Sequence, residues 1–199
     1  MSKSSWQSTA LNIGIALLLI AGGAGVAYNH FYKSSIEPSH EQEAKTGDEA
    51  SDNTEEENTL IGQPRPDFTL PDIDGLKRTA STWDGKVLVI NFWASWCAPC
   101  LEEIPAFVDL QRTYEEQGLQ FVGIAVEDIQ PVKEFLDIIP INYPILVHPS
   151  KTIPVAEDYG NEYGILPYTV IVDRDGIIAH TQLGAISFED TEALIKKLL

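Results

Sequence analysis

The 199-residue chain is poor in sulfur: it has two cysteines, Cys97 and Cys100, and a single methionine, Met1. Structural zinc takes four ligands, and a second cysteine pair is missing, so one pair alone does not close such a site. The four histidines do not make up the shortfall. His30 and His40 stand in the N-terminal third, while His148 and His180 lie far apart on separate strand-like segments. A methionine-rich ligand set for soft Cu(I) is absent as well. Basic side chains are scarce, 13 Lys and Arg against 30 Asp and Glu, and the formal net charge is −17. With no basic patch or stripe to answer phosphate, nucleic-acid binding is excluded from the expected functions. No internal repeat is present.

What the chain has is strongly segmented. Residues 1–9 are polar with one basic side chain, Lys3, and are expected to form a short cytoplasmic N-terminus. They lead into ALNIGIALLLIAGGAGVAY, an apolar run from Ala10 to Tyr28 broken only by Asn12. At about 1.5 Å per helical residue that run nearly matches a hydrocarbon core of about 30 Å, so residues 10–32 are read as a transmembrane anchor. A cleavable signal peptide is the alternative, since GVA before Tyr28 supplies the small residues that a signal peptidase takes. Lys3 on one side and Lys33 on the other leave the positive-inside rule almost balanced. Residues 33–59 follow, with nine carboxylates and almost no apolar side chain. They cannot bury enough surface to offset ordering entropy and are read as an acidic, disordered linker.

The folded domain is expected over residues 60–199. DFTLPDIDGLKRTASTW reads as an irregular hairpin turning at DIDG. KVLVINFWA is a nearly continuous β-branched and aromatic run, the signature of a strand covered on both faces. A helix is expected from Ala98 to about Gln117, ended by Gly118. LQFVGIAV follows as a second buried strand, then PVKEFLDII as a helix with proline in its first turn, and YPILVH as a short segment. PYTVIVD and IIAHTQL flank RDG and form an antiparallel hairpin. SFEDTEALIKKLL opens with Ser187 as N-cap and Asp190 three residues on. The order β, α, β, α, β, β, α predicts an α/β protein with a central mixed sheet and helices on both faces, preceded by a β-hairpin extension.

Both thiols fall in NFWASWCAPCLEEIP, between a strand and a helix. A Cys-x-x-Cys pair is either half of a zinc site or a redox dithiol, and the missing partners disfavour zinc. Residues three apart in a first helical turn have Cα atoms about 5 Å apart, within the span of a disulfide. Cys97 would sit at the helix N-terminus, where unpaired N–H groups and the helix dipole favour a thiolate. It is therefore expected to be the exposed attacking nucleophile, and Cys100, one turn inward, the resolving thiol. Pro99 fits because first-turn N–H groups have no intrahelical partner to lose. A purely structural disulfide closing so short a loop would contribute little stability.

FWASWCAPC after a buried strand, with GILPYTVIVDRDG some seventy residues later, resembles the thioredoxin superfamily. The GQPRPDFTLPDIDG extension, the CLEEIP continuation and the membrane segment resemble its TlpA/ResA-type oxidoreductases. The resemblance implies a thioredoxin-like fold over 60–199 and a thiol-disulfide oxidoreductase that needs no cofactor beyond the redox-active disulfide Cys97–Cys100. It also implies that Pro167 is cis and faces the dithiol, with the Leu166 backbone offering strand-like hydrogen bonds to substrate. Asn91 stands where thioredoxins proper carry a buried carboxylate, and an amide cannot take a proton. Glu103, three residues after Cys100 on the same helical face, becomes the candidate acid/base, whereas Glu102 points elsewhere. Trp96 is expected to be a solvent-facing platform for the partner, Trp93 and Phe92 core. Glu127 and Asp128, at the end of the second buried strand, read more readily as loop charges than as catalytic groups. Pro105 is expected inside the active-site helix.

The implied setting is the extracytoplasmic side of a bacterial membrane. The partners would be protein disulfides, apocytochrome c among them, and a membrane electron donor that keeps the dithiol reduced. A dedicated reductase is useful where the surroundings oxidise thiols. Two rival functions remain at this stage, a peroxiredoxin-like peroxidase and a Cu(I) metallochaperone using the dithiol.

Overall fold

The computed structural model describes residues 60–199. The expected N-terminus 1–9, anchor 10–32 and linker 33–59 lie outside the described residues. Among the described residues no helix is long and apolar enough to cross a membrane.

The central sheet is built on β3 (Val87–Trp93), whose seven residues are all buried. Side chains alternate across a strand, so β3 feeds two cores at once. Val87, Val89 and Trp93 join one apolar cluster, and Leu88, Ile90 and Phe92 join the other. The first cluster is closed by α1 (Ala98–Tyr114), α2 (Ile129–Ile138) and α4 (Phe188–Lys196), through Phe107, Val132 and Ile195. Strand β4 (Leu119–Ala125) runs parallel to β3, and β5 (Ile145–Val147) runs parallel to β4. On the other side β6 (Tyr168–Val172) pairs antiparallel with β3, and β7 (Ile178–Leu183) pairs antiparallel with β6. The order β5-β4-β3-β6-β7 is the expected mixed sheet with β3 at its centre. His148 and His180 fall on opposite sides of it, just after β5 and within β7.

Two elements were not foreseen. YPILVH supplies the edge strand β5, and α3 (Thr152–Asp158) follows it. Helix α3 has seven residues, Pro154 in its first turn and no side-chain cap, so neither apolar period nor capping pattern marks it. Its Ala156 nevertheless packs in the second cluster, which makes α3 the helix that covers that face. The active-site helix is also shorter than expected: α1 stops at Tyr114, and Glu115–Gln117 form a separate 3-10 turn. Gly118 follows in the left-handed region at φ 96°, the conformation that glycine adopts at least cost. Ser187 caps α4 as expected, its Oγ accepting from the Asp190 N–H at 3.0 Å and donating to Asp190 Oδ2 at 2.7 Å.

The N-terminal extension protects both sheet edges. Gly62 N–H donates to the Ile178 carbonyl at 2.8 Å and Ile178 N–H returns a bond to Gln63, tying residues 62 and 63 to β7. The chain then crosses the second face with Phe68 and Leu70 buried. It forms the expected hairpin from β1 (Thr69–Pro71) and β2 (Lys77–Thr79), and Ile73 N–H bonds the Ile145 carbonyl on β5 at 3.2 Å. Covering unpaired strand edges in this way blunts edge-to-edge association.

Beneath the site the packing is tight. A Cβ on Gly123 of β4 would stand 2.6 Å from Ile145 Cδ1 and 3.0 Å from Trp93 Nε1. Gly123→Ala is therefore expected to destabilise the domain by about 1–3 kcal/mol, read as a lower urea midpoint at unchanged slope.

Candidate active site

Strand β3 ends at Trp93, and a four-residue turn follows in which Cys97 N–H bonds the Ala94 carbonyl at 3.1 Å. Cys97 is the N-cap residue of α1, with extended backbone and no side-chain capping bond. Its sulfur is thus left for other chemistry at a helix N-terminus, and the first turn of α1 holds no acidic side chain to oppose a thiolate. Cys97 and Cys100 are joined in a disulfide with Cα atoms 5.3 Å apart. The expectation of an exposed nucleophile needs correction. Cys97 is 5% exposed, and the Cys100 to which it is bonded has no exposed surface at all. Access to the pair is a narrow window on the Cys97 side.

Trp96 beside it is 69% exposed, while Trp93 and Phe92 are buried, as expected of a platform above a core. The register of β3 with β6 sets Phe92 opposite Tyr168, so the segment entering β6 arrives at the end of the sheet from which Cys97 departs. The Leu166–Pro167 peptide bond is cis, and Pro167 is buried, its carbonyl accepting from Gly184 N–H at 2.9 Å. Leu166 is partly buried against the core. Trp96, the Cys97–Cys100 pair, Leu166 and Pro167 therefore share one end of the sheet.

Beneath them the odd face of β3 carries one polar residue, Asn91, 1% exposed. Its Nδ2 donates to Glu103 Oε1 at 2.7 Å and to Thr169 Oγ1 on β6 at 3.1 Å. The Ile186 N–H, from the loop before α4, donates to Glu103 Oε2 at 3.2 Å. Glu103 itself is 4% exposed, whereas Glu102 is on the outside of α1. Burial raises the Glu103 carboxyl to about 7, and the two donors, Ile186 N–H and the Asn91 amide, only partly offset that cost. Burial, and secondarily the Glu103 carboxylate, pushes the buried Tyr143 hydroxyl upward. A carboxylic acid poised near neutrality, one helical turn beyond a fully buried thiol, can take up or release a proton there. Among the described residues no group of three or more His, Cys, Asp or Glu side chains is arranged to hold a metal ion.

Three parts of this site escaped the sequence. Thr169 reaches Asn91 only through strand pairing, and the Ile186 N–H reaches Glu103 only through the loop before α4, signals that no local pattern carries. Glu127 is more than a loop charge. Its Oε1 accepts the Ser95 N–H and its Oε2 accepts the Ser95 hydroxyl at 2.9 Å. Asp128 is the exposed N-cap residue of α2. Pro105 lies within α1, as expected.

The model of the AhpC/TSA family matches residues 61–181. The "Thiol-disulfide oxidoreductase ResA" of Bacillus thuringiensis subsp. konkukian is 30% identical over 152 residues, covering 73% of this chain and 82% of that protein. The "Thioredoxin-like protein YneN" of Bacillus subtilis is 32% identical over 137 residues, covering 66% of this chain and 76% of that one. Among solved structures, a thiol:disulfide interchange protein of the thioredoxin family from Chlorobium tepidum TLS superposes with a TM-score of 0.62 at 32% identity. It covers 68% of this chain and 94% of that chain.

Proposed function

This chain is a thiol-disulfide oxidoreductase of the AhpC/TSA family, of the TlpA/ResA type with a thioredoxin-like fold, and on that premise we propose that Cys97 and Cys100 are its redox couple and that it reduces protein disulfides. The observation that carries the proposal is the Cys97–Cys100 pair at the start of α1, with the buried acid Glu103 one turn on.

In the reduced protein the Cys97 thiolate attacks a substrate disulfide. A Cys97–substrate disulfide forms and one substrate thiolate departs. The Cys100 thiol gives its proton to the Glu103 carboxylate and attacks the Cys97 sulfur. The second substrate thiolate leaves and the Cys97–Cys100 disulfide closes, so two electrons have passed to the substrate. Cys100 has no exposed surface in the disulfide form, which supports a local acid/base for its proton. In the reverse half-reaction, protonated Glu103 supplies Cys100 as it is released by an external reductant. A group near neutrality serves both directions.

Trp96 is the outer wall of the substrate site, and Leu166 offers main-chain hydrogen bonds to an extended segment beside the dithiol. Trp96→Ala is expected to raise KM for a protein substrate about tenfold with kcat nearly unchanged, the loss of one aromatic anchor. An equal fall in kcat alone would assign the ring to the chemistry instead.

The apolar run Ala10–Tyr28 and the acidic stretch after it support a tethered enzyme, working on the extracytoplasmic side of a bacterial membrane. There a membrane electron donor would restore the dithiol, and apocytochrome c, which presents a Cys-x-x-Cys-His disulfide, is the leading substrate. The test is a Cys100→Ser variant mixed with an oxidised Cys-x-x-Cys-His peptide. The expected product is a protein–peptide adduct through Cys97, released by dithiothreitol and seen by mass spectrometry. No adduct with any disulfide peptide would overturn the proposal.

A further inference from the structure

The turn that presents Cys97 is held from the neighbouring strand. Strands β3 and β4 run parallel with Trp93 opposite Ala125, and the ladder continues one residue past the end of β4, Val126 N–H bonding the Trp93 carbonyl at 3.0 Å. Glu127 follows Val126 directly, and Ser95 stands two residues beyond Trp93; both are half-buried. The Glu127 carboxylate spans Ser95, one oxygen on its N–H and the other on its hydroxyl. Ser95 is the second residue of the Ala94–Cys97 turn, so a group fixed there fixes where the Cys97 N-cap enters α1. The two donors are matched to one carboxylate, an arrangement that fixes direction as well as distance.

We infer that Glu127 is a positioning residue for the nucleophile, acting through Ser95 to hold the turn that aims Cys97 at its substrate. The inference rests on the assignment of Cys97 as the attacking thiol. Glu127 does not touch the sulfur, and its contribution is the aim of the sulfur relative to the helix N-terminus and the Leu166 backbone. Misplacement of a reacting group by a fraction of an ångström is costly to rate, so loss of the clamp should show in turnover. The identity of the side chain matters in a defined way. Glutamine can keep both contacts, its Oε1 accepting the Ser95 N–H and its amide donating to the Ser95 oxygen, while removing the charge. Alanine removes both.

The test measures kcat/KM for reduction of a model protein disulfide by wild type, Glu127→Ala, Glu127→Gln, Ser95→Ala and the Ser95→Ala, Glu127→Ala pair. The expected result is a loss of about tenfold for Glu127→Ala, restored to within about threefold of wild type by Glu127→Gln. The paired variant should be no worse than Glu127→Ala alone, since both changes break the same clamp. Glu127→Ala as active as wild type, or glutamine as damaging as alanine, would overturn the inference. If Glu127→Ala does not fold, Ser95→Ala decides: it leaves one of the two bonds and should be about threefold slower, and an unchanged rate overturns the clamp. Inactive wild type would instead defeat the underlying assignment of the redox couple.

Discussion

Cys97→Ser is expected to lower the rate of protein-disulfide reduction by about 10³-fold or more while leaving the domain folded. Only a thiolate attacks a disulfide at a useful rate, and a serine hydroxyl at a helix N-terminus stays protonated near neutral pH. The structural side of the expectation follows from loop length. The Cys97–Cys100 bridge spans a sequence separation of 3, so it restrains the unfolded chain little, and its loss should shift the thermal midpoint by only a few degrees. The check is a reductase assay with dithiothreitol as electron source, run beside thermal denaturation. Full activity, or an unfolded variant, would each contradict a catalytic and non-structural role for the pair.

Glu103→Gln is expected to slow the second half of the exchange by about 10²-fold, because the buried Cys100 thiol then has no base to take its proton. In wild type the resolution rate should rise with pH through a midpoint near 7, where Glu103 becomes a carboxylate. In the glutamine variant that inflection should vanish. Stopped-flow decay of a preformed Cys97 mixed disulfide, followed from pH 5 to 9, reads this step directly. Stability provides an independent reading with a definite sign. The Glu103 carboxyl is raised from 4.5 unfolded to about 7 folded, so between those values the native state binds the extra proton. Its stability contribution is complete below about 4.5, falls as pH rises through 7, and is level above, a change on the order of 3 kcal/mol. Glutamine keeps an acceptor for Asn91 but sets an N–H against the Ile186 N–H, so the variant is expected to be less stable overall. The informative quantity is the slope, which only wild type should show between pH 5 and 7.

The dithiol, the acid beside it and the strand beneath were legible because each rests on a local rule. Cys-x-x-Cys at a strand-to-helix junction needs a first-turn geometry, and i to i+3 spacing puts Glu103 on the Cys100 face. Asn91 was legible through the resemblance, as the residue standing where thioredoxins proper carry a buried carboxylate. What stayed hidden is what non-local contacts decide. Helix α3 is too short and too weakly capped to announce itself, and it exists because its Ala156 side buries against the second core. Glu127 sits in a charged loop that any solvent-facing helix start could share, and only the parallel register of β3 and β4 brings it onto Ser95. The low exposure of Cys97 is likewise set by how the folded chain packs around the pair, which no local pattern carries.

Glu103 must carry a proton near neutrality for this exchange to run, and a carbon-detected NMR titration of its side-chain carboxyl tests that without any assay. In the protein with Cys97 and Cys100 oxidised, a midpoint close to 7 is the expected result. A midpoint at the ordinary glutamate value near 4.5 would mean that Glu103 is ionised throughout the working range, and the proton of Cys100 would have to be handled elsewhere.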